Sequence, residues 1–102
     1  MANGAAPSAI FENQEILLSQ PFGDYLDIMR RWAAENGTAP ALSDDATTLC
    51  WADMNAQVDR IAAALQRDGL AHGQAVAILG TTSIAYALVY LAAIRAGGCA
   101  AP

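Results

Sequence analysis

The rhythm of apolar and polar positions changes from segment to segment along the chain. From Pro21 to Asn36 the apolar residues recur at helical spacing. Phe22, Leu26, Met29 and Trp32, joined by Tyr25 and Ala33, fall on one stripe. Asn36-Gly37 ends that helix, because both residues tolerate the left-handed cap conformation. The pattern then shortens to that of a hairpin over Ala41–Cys50. Ala41-Leu42-Ser43 and Thr47-Thr48-Leu49 form the strands and Asp44-Asp45 the turn. A second helix is predicted over Asp53–Asp68. Met54, Val58, Ile61 and Leu65 line its buried face, while Asp59, Arg60, Gln66 and Arg67 face water. Gly69 stops it.

The next stretch, GLAHGQAVAILGTTSIAYALVYLAAIRAGGCAAP, has a different character. Ala75–Leu79 is a continuous apolar run between Gly73 and Gly80, the pattern of a buried parallel strand. Ser83–Ala96 is a third helix, apolar on nearly every side. Its one charge, Arg95, lies in the last turn, where the helix dipole favours a cation. Gly97-Gly98 ends it and Cys99-Ala100-Ala101 opens another strand. Strand, helix and strand in this order predict a right-handed crossover, the unit of a doubly wound sheet.

A helix apolar all round must be buried all round. The first 68 residues offer too little surface to do that. The expected fold class is therefore α/β: the N-terminal portion of a larger doubly wound domain, incomplete on its own. It holds a β-hairpin, a strand-helix-strand unit and three helices. Residues 1–20, rich in Ala, Asn and Ser, are expected to form a tail, and residues 21–102 the domain segment.

Composition sharpens this picture. The chain is 55% hydrophobic and 15% charged, against roughly 25% charged in ordinary soluble domains. The net charge is −5, without a basic stripe, which argues against nucleic acid as a partner. MANGAAPSAIF lacks the charged start and apolar run of a signal peptide. Gly69 to Ile94 carries no Asp, Glu, Lys or Arg, but Gly80-Thr81-Thr82-Ser83 splits it into pieces too short for a membrane span. Cys50 and Cys99 fit no C-x-x-C pair, and one histidine cannot complete a zinc set. Two free thiols in a reducing cytoplasm are expected.

Four groups of residues invite a chemical reading, and each has a plainer one. Gly80-Thr81-Thr82-Ser83 follows a strand and opens a helix, a place where N–H groups can hold an anion. It has neither dinucleotide-type glycine spacing nor a P-loop lysine. A capped helix start, with Thr82 or Ser83 as the cap, is the preferred reading. Asp44-Asp45 resembles paired carboxylates but sits in a turn, where neighbours point apart into water. His72 has no nucleophile or acid placed to work with it. Trp32, Trp51, Tyr86 and Tyr90 lie at helical spacings typical of core rather than of a ligand wall. No catalytic, cofactor-binding or metal-binding residue is assigned.

From Ala41 onward the order of motifs resembles the adenylate-forming superfamily. That group comprises the acyl- and aryl-CoA synthetases, the beetle luciferases and the peptide-synthetase adenylation domains. Ala41-Leu42-Ser43-Asp44 is similar to its A-L-x-D hairpin. Cys50-Trp51-Ala52-Asp53-Met54 stands where it has T-Y-x-E-L. Asn55, Ile61, Ala62, Leu65 and Gly69 follow its next helix. Gly73–Ser83 resembles G-D-x-V-A-I-L-x-x-N-S, and Leu91–Pro102 resembles L-A-x-x-x-A-G-x-x-x-x-P. The departures (Cys50, Trp51, Gln74 and Thr82) touch caps and turns. The resemblance implies a parent enzyme that activates a small carboxylic acid with Mg-ATP to an acyl-adenylate and passes it to CoA. Loading of a carrier protein is the runner-up. The family's glycine-rich phosphate loop and catalytic lysine lie later in such chains. These 102 residues are therefore expected to be inactive alone, to have the remainder of the parent polypeptide as partner, and to be cytoplasmic. A small non-enzymatic module docking through its apolar helix is the alternative from another class.

Overall fold

The computed structural model describes residues 25–102. The expected tail over residues 1–20, and Pro21 and Phe22 of the first expected helix, lie outside the described residues.

Helix α1 spans Tyr25–Glu35. Leu26 and Met29 of its predicted stripe are buried. The chain then turns into a short antiparallel hairpin, β1 (Pro40–Ser43) and β2 (Thr48–Cys50). Ser43 pairs with Thr48 and Leu42 with Leu49, and the register shifts between Pro40 and Leu42. Such a bulge bends a strand and increases its twist. Helix α2 follows without a linker, over Trp51–Arg67. It begins two residues earlier than the predicted Asp53. Cys50 is its N-cap residue, with extended backbone and no side-chain capping bond. A thiol is a poor stand-in for the hydroxyl of Ser or Thr there. Backbone contacts hold the start instead: Trp51 N–H donates to Ala39 and Ala52 N–H to Gly37.

Strand β3 covers Ala75–Ala77, helix α3 Ile84–Arg95 and β4 Cys99–Ala101. β3 and β4 pair in parallel, Ala75 with Cys99 through Ala77 with Ala101. The hairpin and this pair are separate two-stranded sheets. The strand predicted to run to Leu79 is shorter than expected. Ile78 still donates its N–H to Ala101, but Leu79 is 99% exposed. Val76 and Ile78 are half-buried, while Ala75 and Ala77 are exposed. A strand with one parallel neighbour and helices on one face buries only alternate residues. The expectation of burial on both faces is not met among the described residues.

α2 and α3 pack together, with α1 against α2. Val58, at 0% exposure, sits at the centre. Met54 and Ala62 of α2, Leu88 and Ala92 of α3, and Leu26 and Met29 of α1 surround it. Burying such side chains contributes about 1.5–3 kcal/mol each for the larger ones. Among the described residues α3 is covered on only part of its surface, short of the burial all round that its composition predicts within a larger domain. Its Leu88, Ala92 and Ala93 face are buried, whereas Tyr90 is exposed.

The two long helices end alike. In α2 the N–H of Gly69 returns to Gln66 and that of Leu70 to Leu65. In α3 the N–H of Gly97 returns to Ile94 and that of Gly98 to Ala93. Each is the paired bonding of a Schellman cap, with glycine in the left-handed position. The second glycine of the 97–98 pair has a different reason. A Cβ on Gly98 would lie 2.8 Å from the Gln74 carbonyl oxygen and 3.0 Å from Leu70 Cδ2. Only glycine lets α3 turn this closely onto the start of β3.

Candidate functional site

The concavity that merits chemical scrutiny lies where β3 runs out and α3 begins. It measures about 280 Å³ and is lined by Ile78, Leu79, Gly80, Thr81, Ser83 and residues of the first turns of α3. It is open to solvent and mostly apolar. Ligands of open α/β sheets favour this position, beyond the carboxyl end of a strand.

One of its polar groups, Ser83, serves the helix. Ser83 is the N-cap of α3, and its Oγ accepts from the Tyr86 N–H at 3.2 Å. That satisfies one of the donors an anion would need. Gly80 does not adopt positive φ, and a Cβ there would meet nothing closer than Tyr86 Cδ2 at 4.0 Å. The loop is therefore no close-approach cradle. No lysine or arginine lies between Gly69 and Ile94. The ATP, Mg and CoA implied by the sequence resemblance find no fitting set of residues here. The plainer reading of Gly80–Ser83 holds, with Ser83 as the cap.

The other candidates are dispersed by the fold. Asp44 Oδ1 accepts from the N–H groups of Ala46 at 2.9 Å and Thr47 at 2.8 Å. It organises the hairpin turn rather than merely pointing into water, and Asp45 is exposed beside it. Ser43 Oγ and Thr48 Oγ1, 3.1 Å apart, close the same turn across the strands. His72 is exposed at the surface, where it faces the Gly97 turn. Trp32 and Trp51 meet edge to face, ring centroids 6.3 Å apart at 74°. They join α1 to the start of α2, as core aromatics do. Tyr86 is half-buried like the tryptophans but lies at the lip of the concavity, and Tyr90 departs from the core expectation, being exposed. Cys50 and Cys99 are free thiols. Among the described residues no cluster of His, Cys, Asp or Glu could hold a metal ion. Nor is any described helix long and apolar enough to cross a membrane.

One constellation escaped the sequence reading. Arg95 does not simply complement the dipole of α3 from the surface. Its side chain is only 4% exposed. Nη1 donates to Asp59 Oδ1 at 2.8 Å and to the Asn55 carbonyl at 3.3 Å, both on α2. Gln66 Nε2 adds a bond to the Ala96 carbonyl at 3.2 Å. These ties stitch α2 to α3. The spacing of either helix alone carries no signal for them, because they depend on which faces meet.

The comparisons with known proteins agree with this architecture. No curated protein matches the sequence. Among solved structures, the chain is similar to a fatty acid AMP ligase from Legionella pneumophila (23% identity, TM-score 0.70), covering 76% of this chain and 14% of that one. It is similar to the inhibitor-bound N-terminal domain of FACL13 from Mycobacterium tuberculosis (25%, TM-score 0.71), with 78% and 20% covered. It also matches the N-terminal subdomain of NpsA from Klebsiella oxytoca (24%, TM-score 0.73), with 78% and 21% covered. The chain thus spans about a fifth or less of the length of these structures, and its α/β fold corresponds to the N-terminal part of such enzymes. The family model for AMP-binding enzymes matches residues 29–102, and the chain belongs to that family.

Proposed function

We propose that this chain is the N-terminal scaffold of a larger acid–CoA ligase. The parent enzyme would use Mg-ATP to convert a small carboxylic acid to an acyl-adenylate, releasing pyrophosphate, and would then form the CoA thioester in the cytoplasm. The scaffold's own task is to present β3, β4 and the apolar outer surface of α3 to the remainder of the polypeptide. The observation that carries this reading is the match to AMP-binding enzymes across residues 29–102. It is supported by Gly80–Ser83, where the Ser83 hydroxyl caps the helix and no lysine or arginine stands nearby in sequence, in keeping with phosphate chemistry carried by other residues. Transfer to a carrier protein instead of CoA remains the competing acceptor. The docking-module alternative would use the same open surface of α3, and the match to AMP-binding enzymes is what favours the ligase over it.

Pyrophosphate exchange over a panel of carboxylic acids tests the reading. The full-length parent should show acid-dependent exchange, and the 102-residue polypeptide should show none. Exchange by the 102 residues alone would move the chemistry into them. A parent inert with every acid would remove the ligase assignment. Adding CoA or a pantetheinylated carrier to the active parent then identifies the acceptor.

A further inference from the structure

The seam between α2 and α3 holds more polar atoms than its bonds account for. Arg95 uses Nη1 for both of its bonds to α2, to Asp59 and to the Asn55 carbonyl. Its Nε and Nη2 are buried and have no hydrogen-bond partner among the described residues. The same is true of Asn55 Oδ1. The side chain that carries the two donors is more than nine-tenths buried. Two donors and one acceptor are therefore stranded around one arginine. Buried polar groups in folded proteins are satisfied in the great majority of cases, by protein or by ordered water.

The chemistry of the set selects its ligand. An anion would satisfy Nε and Nη2, but Asp59 already balances the guanidinium charge, and Asn55 Oδ1 would repel a second negative group. A cation would meet the arginine itself. An apolar group would leave all three atoms stranded. What fits is a neutral molecule that accepts from N–H and donates to C=O within a small space, which is water. The Asp59 side chain that borders the set is 54% exposed.

We propose that the α2–α3 seam contains a structural water site built by Arg95 Nε or Nη2 and Asn55 Oδ1, beside the Arg95–Asp59 ion pair. The water makes the pair a three-part clamp. It fixes the last turn of α3, from which the Gly97-Gly98 turn and β4 depart. The proposal concerns this chain's own packing and stands whether or not the parent is a CoA ligase.

A high-resolution crystal structure of the full-length protein is the direct test. The expected result is a well-ordered water within hydrogen-bonding distance of an Arg95 nitrogen and Asn55 Oδ1. A dry seam, an anion there, or an Arg95 side chain turned out to solvent would overturn the proposal. A thermal melt of the full-length N55L variant is an independent readout. If the seam is dry, replacing a stranded acceptor by an apolar side chain of similar size leaves Tm unchanged or raises it. If the water bridges, Tm falls, although leucine is the better helix former. The fall should largely vanish when N55L is made in an R95M background, because the water has then already lost its donors. Equal falls in both backgrounds would overturn the bridge.

Discussion

Helices α2 and α3 lie side by side and end in the same cap, yet they solve different problems. α2 is amphipathic: Met54, Val58 and Ala62 go inward, while Asp53, Asp59 and Arg60 stay outside. The elements around it also close their own bonds, with the hairpin turn satisfied by Asp44 and the helix start by Ala39 and Gly37. α3 carries apolar residues on all sides but has a partner on only part of its surface. Beside it Leu79 stands in the open, and among the described residues β3 and β4 have only each other. The difference separates a region that folds against itself from one shaped to be covered. It also explains why the polar ties between the helices gather at Arg95 and Gln66, near the C-terminal end of α3.

The largest expected effect breaks the shared face. Leu88→Asp places an unpaired carboxylate among Val58, Ala92 and Met54, at a cost of several kcal/mol. The variant of the full-length protein should move to the insoluble fraction. A soluble variant with an unchanged melting curve would mean that α3 does not pack on α2 through this face. Next comes the contrast between the two helix ends. Gly98→Ala drives a methyl against the Gln74 and Ala93 carbonyls and should cost about 1–3 kcal/mol by chemical denaturation. Gly69→Ala meets no atom within 4 Å and keeps only the backbone strain, about 1–2 kcal/mol. If Gly69→Ala is the more damaging, the close approach of α3 to β3 is wrong. The smallest effects concern the helix starts. Ser83→Ala should remove about 1 kcal/mol, and Cys50→Ser should add up to about 1 kcal/mol by supplying the hydroxyl that α2 lacks. A calorimetric scan of both variants reads the opposite signs directly.

The sequence made the elements legible wherever a local rule governs them. Gly69 and Gly97 mark their helix ends because a left-handed position excludes most side chains. Met54 and Val58 mark the inner face of α2 because their spacing matches the helix. It failed where neighbours decide. The run from Ala75 to Leu79 looks like a fully buried strand, but hydropathy cannot count the strands beside it, and among the described residues there is one. The Arg95 ties were hidden for the same reason, since Asn55 and Asp59 become its neighbours only once two helices choose faces. For the site, residue chemistry was enough to favour a cap at Gly80–Ser83. The side-chain geometry then identified Ser83 rather than Thr82.

The two sheets also differ in how far apart along the chain their partners lie, and this sets an order of events. Ser43 finds Thr48 across a single turn. Hairpins of this kind close in about 1–10 μs. Ala75 finds Cys99 only after the whole of α3 has formed and folded back. Closing a longer loop costs more entropy before any contact rewards it. On a ribosome the hairpin and α2 can therefore be in place while the crossover is still emerging. When β4 emerges, it completes the pairing that holds β3 among the described residues.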